Sequence, residues 1–514
     1  MAQTRIFFLR NSKKSCTFAA EIENNVPAWD KNLNRHSMSA IIGRAEEQRQ
    51  LSLLANSSKA EFIAVYGRRR VGKTYLITEH FRDQLAFYAS GVLNAKTLQQ
   101  KEAFCAALDK IGALGNEHES WMKLFGTLQN ALQLRVDAGQ QTIIFLDEIP
   151  CFDTQRADFV PALDHFWNTW ASHYANIKLI VCGSATSWIV KNIVDSHGGL
   201  HDRLTFEMHL HPFTLAETEQ YLQNSGVKWT RMMIAQAYMA FGGIPYYMSL
   251  ILPGESLAQA LDRLYSKPTG ILRREYERLF ASLFKIPEPY MNIISILSKN
   301  HKGLTREEIA GKMRMQSGGT LTKWLRDLKN CDFIRSYRVY SRKIKQNSEL
   351  YTLTDMFTIF HLHFHAVIGE EEKFFSKNLK TSDLLAWQGL AFERVVMQHI
   401  PQIKQSLGIH GIEVDYYQWR SSSSSPAAQI DLILDRADGI VNICEMKFSQ
   451  TPYLIKKAEY DKLQNRLFAF QSETQINKGI QLTFITSYGL HPNEYANDVV
   501  QQVTLEDLFI ENTK

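Results

Sequence analysis

Glu61-Phe-Ile-Ala-Val-Tyr-Gly-Arg-Arg-Arg-Val-Gly-Lys-Thr74 decides the fold. After Glu61 the run is apolar and β-rich and ends at a glycine, which reads as a buried strand. Gly67, Arg68, Arg69, Arg70, Val71, Gly72, Lys73 and Thr74 then keep the spacing G-x-x-x-x-G-K-[ST]. Tyr75-Leu-Ile-Thr-Glu-His-Phe81 continues as a helix. A strand, a glycine loop and a helix N-terminus together make a phosphate cradle. The loop's N–H groups wrap an anion, and the helix end adds positive potential. Lys73 is expected to reach the β- and γ-phosphates, and the Thr74 hydroxyl to sit on Mg2+. The expected cofactors are therefore ATP and Mg2+.

Working outward, Thr142-Ile-Ile-Phe-Leu-Asp147-Glu148 is a second buried strand, ending in two carboxylates. Asp147 is expected to hold Mg2+ through water, and Glu148 to polarise the attacking water. A third buried strand, Ile177–Gly183, ends beside Ser184. Ser184 is either a water-positioning residue between the two motifs or a strand-end cap. Arg203 is either a γ-phosphate arginine, supplied in cis or by a neighbouring subunit, or a surface arginine. Leu85–Ser90 adds another short strand, and helical patterns separate all of these runs. Strands alternating with helices imply a parallel sheet covered on both faces. The fold class is α/β.

These motifs in combination resemble the archaeal-type ATPase family, P-loop proteins related to the STAND and AAA+ classes. The resemblance rests on IIGRAEEQRQL (41–51), GRRRVGKT (67–74), FLDEIP (145–150), GSATSWI (183–189), DRLTFEMHLHPFT (202–214) and FGGIPYYMSLI (241–251), and covers about residues 38–290. It implies that Ile42 and Gly43 pack near the adenine and that Arg203 takes an arginine-finger-like place. A homo-oligomer is one consequence. It also leaves FGGIPYY as a lid element.

The expected organisation is a P-loop core over 38–211, a helical lid over 212–285, a winged helix over 286–354, a helical connector over 355–386 and a nuclease-like domain over 387–514. In the winged helix, Gly319–Asn330 is the expected recognition helix, carrying Lys323, Arg326 and Lys329. A hairpin follows with Arg335, Arg338, Arg342, Lys343 and Lys345, interleaved with Tyr337 and Tyr340. Such a surface either neutralises DNA phosphates or is a solvated packing module. His361, His363 and His365 put only His361 and His365 on one helix face, with no carboxylate or cysteine nearby to complete a metal set.

In the last segment Asp431 lies in one strand-like run, and Glu445 and Lys447 in the next. Residues two apart on a strand share a face. Asp431 and Glu445 can then ligate a second divalent metal while Lys447 activates water. Glu393, on a preceding helix, adds a carboxylate. This layout resembles the PD-(D/E)xK nuclease superfamily, and the segment resembles the C-terminal domain that accompanies archaeal-type ATPases. Ile430 stands where the motif usually has proline. The alternatives are a strand-edge ion pair and an inactive domain that keeps the fold.

The bulk numbers bound these readings. A chain of 514 residues is too long for one core. A net charge of +5 permits a nucleic-acid partner without requiring one. Six cysteines, none at C-x-x-C spacing, argue against cysteine zinc sites and disulfides and fit a reducing cytoplasm. No apolar run is long enough to span a membrane. Residues 1–37 differ in composition from the rest and read as a disordered or non-native extension, with Met38 as the start.

Overall fold

The computed structural model describes residues 41–184, 186–194, 203–340, 349–378, 381–421 and 428–511. The extension over 1–37 lies outside them. Five strands form the first sheet: β1 (Glu61–Tyr66), β2 (Leu85–Ser90), β3 (Thr142–Asp147), β4 (Ile177–Gly183) and β5 (Phe206–His209). Their order is β2-β3-β4-β1-β5, and every pairing is parallel. Thus β4 lies between the strand that enters the glycine loop and the strand that ends in Asp147. All of β1, β3 and β4 is buried, because helices cover both faces as parallel sheets require.

One face of the sheet carries an aromatic core. Phe62, Ala64, Tyr66, Ile144 and Leu146 pack there with Phe104, Trp121, Phe125, Phe152, Phe159 and Phe166. Trp121 meets Phe104, Phe152 and Phe159 edge-on at 5.4, 5.5 and 4.9 Å, the geometry that ring quadrupoles favour. Alternation along β1 leaves the buried Ile63 and Val65 for the other face, where helix Lys73–Phe81 lies against β4.

Helices follow from Leu215 to Leu283. Thr214 and Ser256 open two of them with capping boxes, to Glu217 and Gln259. Next come helices Glu288–Ser298, Arg306–Lys312 and Gly319–Asn330 and a hairpin of β6 (Ile334–Arg338) and β7 (Glu349–Leu353). Helix Met356–Ile368 returns across helix Arg231–Phe241. Helix Ser382–Gln398 runs through residue 387.

The second sheet contains β8 (Val414–Arg420), β9 (Gln429–Arg436), β10 (Ile440–Lys447), β11 (Gly479–Thr486) and β12 (Gln501–Thr504), in the order β12-β11-β10-β9-β8. The pairs β8–β9 and β9–β10 are antiparallel, whereas β10–β11 and β11–β12 are parallel. Helix Lys457–Thr474 makes the crossover from β10 to β11. All these elements belong to one unit, Ile42–Lys514.

Candidate functional site

The glycine loop leaves the C-terminal end of β1 and turns into helix Lys73–Phe81 through Gly72, whose φ of 90° a side chain would strain. Lys73 is 6% exposed, and its ammonium donates to the carbonyls of Gly67 and Arg68 at 3.0 and 3.1 Å. The Thr74 hydroxyl donates to Asp147 Oδ2 at 2.8 Å, and Asp147 Oδ1 accepts from the Glu148 N–H at 2.9 Å. Glu148 is left-handed, with φ 45°, and this turns its carboxylate toward the end of β4. There its Oε2 accepts from the Ser184 hydroxyl at 3.0 Å and the Ser184 N–H at 3.2 Å. Thr74, Asp147, Glu148 and Ser184 are thus linked in one chain of hydrogen bonds. A hydroxyl and a carboxylate 2.8 Å apart are the oxygen pair that Mg2+ takes beside a phosphate. The second carboxylate is placed to orient a water.

Gly43 and Arg44 are drawn to the helical lid. The Arg44 N–H donates to Glu217 Oε1 at 2.9 Å, while Oε2 of the same carboxylate caps helix Leu215–Asn224. The buried Arg44 guanidinium donates to the carbonyls of Val71, in the glycine loop, and His211. Ile42 is half-buried.

The side chains of Arg68 and Arg70 turn to partners outside the glycine loop. Arg68 is fully buried, and its Nε lies 2.7 Å from Asp355 Oδ2, the N-cap residue of helix Met356–Ile368. It also sits over the rings of Tyr247 and Phe333. Burial opposes its charge, but Asp355 outweighs that and raises its pKa. Arg70 pairs with Glu275 Oε2 at 3.0 Å and stacks on Tyr246 at 4.1 Å. Glu275 in turn accepts from the Tyr247 hydroxyl at 3.0 Å. Only the backbone N–H groups at these two positions are left for an anion. Tyr246 and Tyr247 belong to FGGIPYY, whose Gly243 is required by close approach: a Cβ there would lie 1.9 Å from the Phe213 carbonyl.

Arg203 is not brought to this site. It is exposed and precedes β5, in which Phe206 stands opposite Ile63 and the Thr205 N–H bonds the Phe62 carbonyl. Because β5 runs parallel to β1, Arg203 comes before the N-terminal end of its strand, whereas the glycine loop leaves the C-terminal end of β1.

A second constellation lies on β9 and β10. Asp431 and Glu445 stand one step beyond the last registered pair, Leu432 opposite Cys444, and so share a face. Glu393, on helix Ser382–Gln398, sits near both. Burial first, then repulsion from Asp431 and Glu445, pushes its carboxyl up to about 7. Glu445 is paired with Lys447 at 3.0 Å and with Arg466 at 2.5 Å. Lys447 also pairs with Glu459 at 3.0 Å. Burial opposes the Lys447 charge, yet these two carboxylates raise its pKa. Glu393, Asp431 and Glu445 do not converge closely enough to form a three-ligand metal set. The cluster is a mutually repelling group of acids with two cations tucked against one of them.

The basic hairpin packs on the second sheet. The Val339 position bridges to Gln418 in β8, and Tyr340 packs on Tyr417 and Phe470. Arg338 pairs with Asp415 at 2.7 Å, Arg335 donates to the Met397 carbonyl, and Tyr337 is buried. A hairpin docked on the second sheet spends these residues on protein contacts. Arg342, Lys343 and Lys345 lie outside the described residues. Lys323, Arg326 and Lys329 remain exposed on their helix.

His361 is buried, bonded to the Tyr265 hydroxyl at 2.9 Å and stacked on Tyr276, with no three-ligand set at FHLHFH among the described residues. A cluster that sequence reading missed is His209, His211 and Asp332. The only local signal was His-x-His at the end of β5, because Asp332 is 121 residues further on.

Residues 59–219 match a family model described as an AAA domain. This puts a P-loop ATPase domain in the chain, a class that binds nucleotide with Mg2+. An uncharacterized protein of Methanocaldococcus jannaschii is 24% identical over 371 residues, 71% of this chain and 78% of that protein. Among solved structures, a Walker-type ATPase of Pyrococcus abyssi is similar at a TM-score of 0.45 and 18% identity, over 63% of this chain and 96% of that one. The Aeropyrum pernix ORC2 protein is similar at a TM-score of 0.36 and 11% identity, over 67% of this chain and 98% of that one. Among the described residues, no helix is long and apolar enough to cross a membrane.

Proposed function

We propose that the chain hydrolyses ATP at Lys73, Thr74, Asp147 and Glu148, and that this site drives a nuclease-like, DNA-acting C-terminal module. The observation that carries the ATPase part is the hydrogen-bonded line from Thr74 through Asp147 and Glu148 to Ser184. Lys73, now held by two loop carbonyls, would trade them for phosphate oxygens. Thr74 and Asp147 would hold Mg2+, whose charge offsets that developing on the γ-phosphate. Glu148 would orient the water, and Ser184 keeps that carboxylate in place. Arg203 would serve the site of a neighbouring copy, which makes a homo-oligomer part of the reading.

Supporting the nuclease-like part are the shared face of Asp431, Glu445 and Lys447 and the nearby Glu393, whose pKa is raised by burial first and then by repulsion from Asp431 and Glu445. A divalent ion would be held by Asp431 and Glu445, at the expense of the ion pairs Glu445 now makes. Exposed Lys323, Arg326 and Lys329 give DNA a footing, in a three-helix and hairpin arrangement of the winged-helix kind.

The same ion pairs favour a second reading, an ATP-driven switch with an inactive nuclease-type fold. Arg68 and Arg70 join the glycine loop directly to Asp355 and Glu275, so a conformational signal has a path out of the site through two ion pairs. Cleavage of branched, single-stranded and duplex DNA with Mg2+ or Mn2+, with and without ATP, separates the two. Cleavage by the wild type that is lost in Lys447→Ala supports the nuclease. ATP turnover with no cleavage by either protein leaves the switch.

A further inference from the structure

We propose that His209, His211 and Asp332 form a transition-metal site that joins the first sheet to the turn after helix Gly319–Asn330. The three residues offer ligand atoms that all lie within 4.8 Å of one another, the only such set among the described residues. His209 Nε2 is 3.0 Å from Asp332 Oδ2, and His211 Nδ1 is 3.3 Å from Asp332 Oδ1. Ligands bound at ~2.0–2.1 Å around a tetrahedral ion stand about 3.3 Å apart, so little movement is needed to admit one.

The site has a structural logic on each side. His209 ends β5, His211 follows two residues later, and both rings reach the Asp332 carboxylate. Their centroids are 4.0 Å apart, and the other face of His209 stacks on Tyr66 at 5.0 Å. The Arg44 guanidinium fixes the His211 carbonyl.

Asp332 sits at the residue after a helix C-cap. The Phe333 N–H returns to the Leu328 carbonyl and the Asp332 N–H to the Lys329 carbonyl, closing a Schellman turn. That position is left-handed, with φ 58° at Asp332, and is ordinarily a glycine. Here a carboxylate occupies it, and its side chain is 12% exposed and aimed at the two imidazoles. Backbone conformation alone would favour glycine, so the side chain has its own role.

Two nitrogens and one carboxylate suit Zn2+ or a neighbouring first-row ion over Mg2+ or Ca2+, which prefer all-oxygen sets. Three protein ligands leave a position open, on the side where His211 is 53% exposed. The site stands beside the glycine loop, since Leu210 bonds the Tyr66 carbonyl immediately before Gly67.

The test is Zn2+ uptake by the untagged full chain after chelator treatment, read by competition with a chromophoric chelator, with Co2+ absorption as a second probe. With excess Mg2+ present to fill the oxygen sites at Thr74–Asp147 and Asp431–Glu445, about one equivalent is expected. His211→Ala and Asp332→Asn should each weaken binding by at least the ~10–100-fold that loss of an outer-shell partner costs. Lys73→Ala, His365→Ala and Glu445→Ala should bind as the wild type does, placing the ion away from the nucleotide site, the other histidine pair and the C-terminal acids. His211 is half-exposed, so its variant should keep the wild-type circular dichroism. A wild type that takes up neither Zn2+ nor Co2+ overturns the proposal, as does unchanged binding by the folded His211→Ala and Asp332→Asn chains. Equal loss in Lys73→Ala or Glu445→Ala would also overturn it, because the ion would then sit elsewhere.

Discussion

At the residue scale, Lys73 and Glu148 should separate binding from hydrolysis. Lys73→Ala removes the only ammonium held inside the loop and should abolish ATP turnover. Glu148→Gln keeps the shape and the hydrogen bond from Ser184 but loses the charge that polarises water. It should still bind ATP, measured with a fluorescent analogue, while turnover falls by ~10²–10⁴. Undiminished turnover in either variant would remove that residue from the mechanism. These residues were legible because each motif is contiguous and its backbone dictates where the side chains stand. The directions of Arg68 and Arg70 were not legible: the motif leaves those positions free, and what claims them lies at Asp355 and Glu275, over 200 residues away. His209, His211 and Asp332 escaped for the same reason, because only the fold brings them together.

At the element scale, two buried contacts tie together segments far apart in sequence. One is the Arg68–Asp355 pair, in which both groups are nearly solvent-free. Removing either partner leaves the other buried and uncompensated, so Arg68→Ala and Asp355→Ala should each cost ~3–5 kcal/mol. The double variant should cost less than the sum by more than ~1 kcal/mol. Strict additivity in denaturation melts would show that the pair is not coupled.

The other contact is His399, which is fully buried. Its Nε2 accepts from the Leu215 N–H at 3.0 Å, in the first turn of a lid helix, and its Nδ1 faces the Val395 carbonyl at 2.7 Å. Burial lowers its pKa from 6.5 to about 4. As pH falls below 6.5 the unfolded chain takes up this proton first. The stability His399 supplies is therefore complete above 6.5 and drains away toward pH 4, to a total of about 3 kcal/mol. His399→Gln should flatten the fall in Tm between pH 7 and 5 relative to the wild type, and identical slopes would refute this.

The long, strongly apolar strands β1, β3 and β4 were readable from sequence, as were β9 and β10. The four-residue β5 and β12 carry too little pattern, and in β8 Asp415 and Tyr416 are exposed. The docking of the β6–β7 hairpin on β8 was equally hidden, because a basic, aromatic hairpin reads alike whether it faces phosphate or protein.

At the scale of the whole molecule, the proposed ATPase site raises the question of where Arg203 acts. The order β2-β3-β4-β1-β5 sends every C-terminal strand end, with Lys73, Asp147, Glu148 and Ser184, to one edge of the sheet. Arg203 comes before the N-terminal end of β5, and this favours an arginine that stabilises charge on a γ-phosphate bound by another copy. Each active site would then need Lys73 from one chain and Arg203 from the next. Lys73→Ala chains lack a working loop but still present Arg203, and Arg203→Ala chains have the loop but no arginine. Each alone should turn over ATP poorly, with the arginine worth ~10³–10⁵ in rate where it acts. Mixed, they should regain a share of wild-type activity, because some junctions pair an intact loop with an intact arginine. The specific activity of the wild type should also rise with protein concentration as copies assemble. If the mixture stays as inactive as its components while Arg203→Ala alone is impaired, Arg203 acts through the fold of its own chain. If Arg203→Ala is as active as the wild type, it is a surface residue and the ATPase cycle needs no neighbour's arginine.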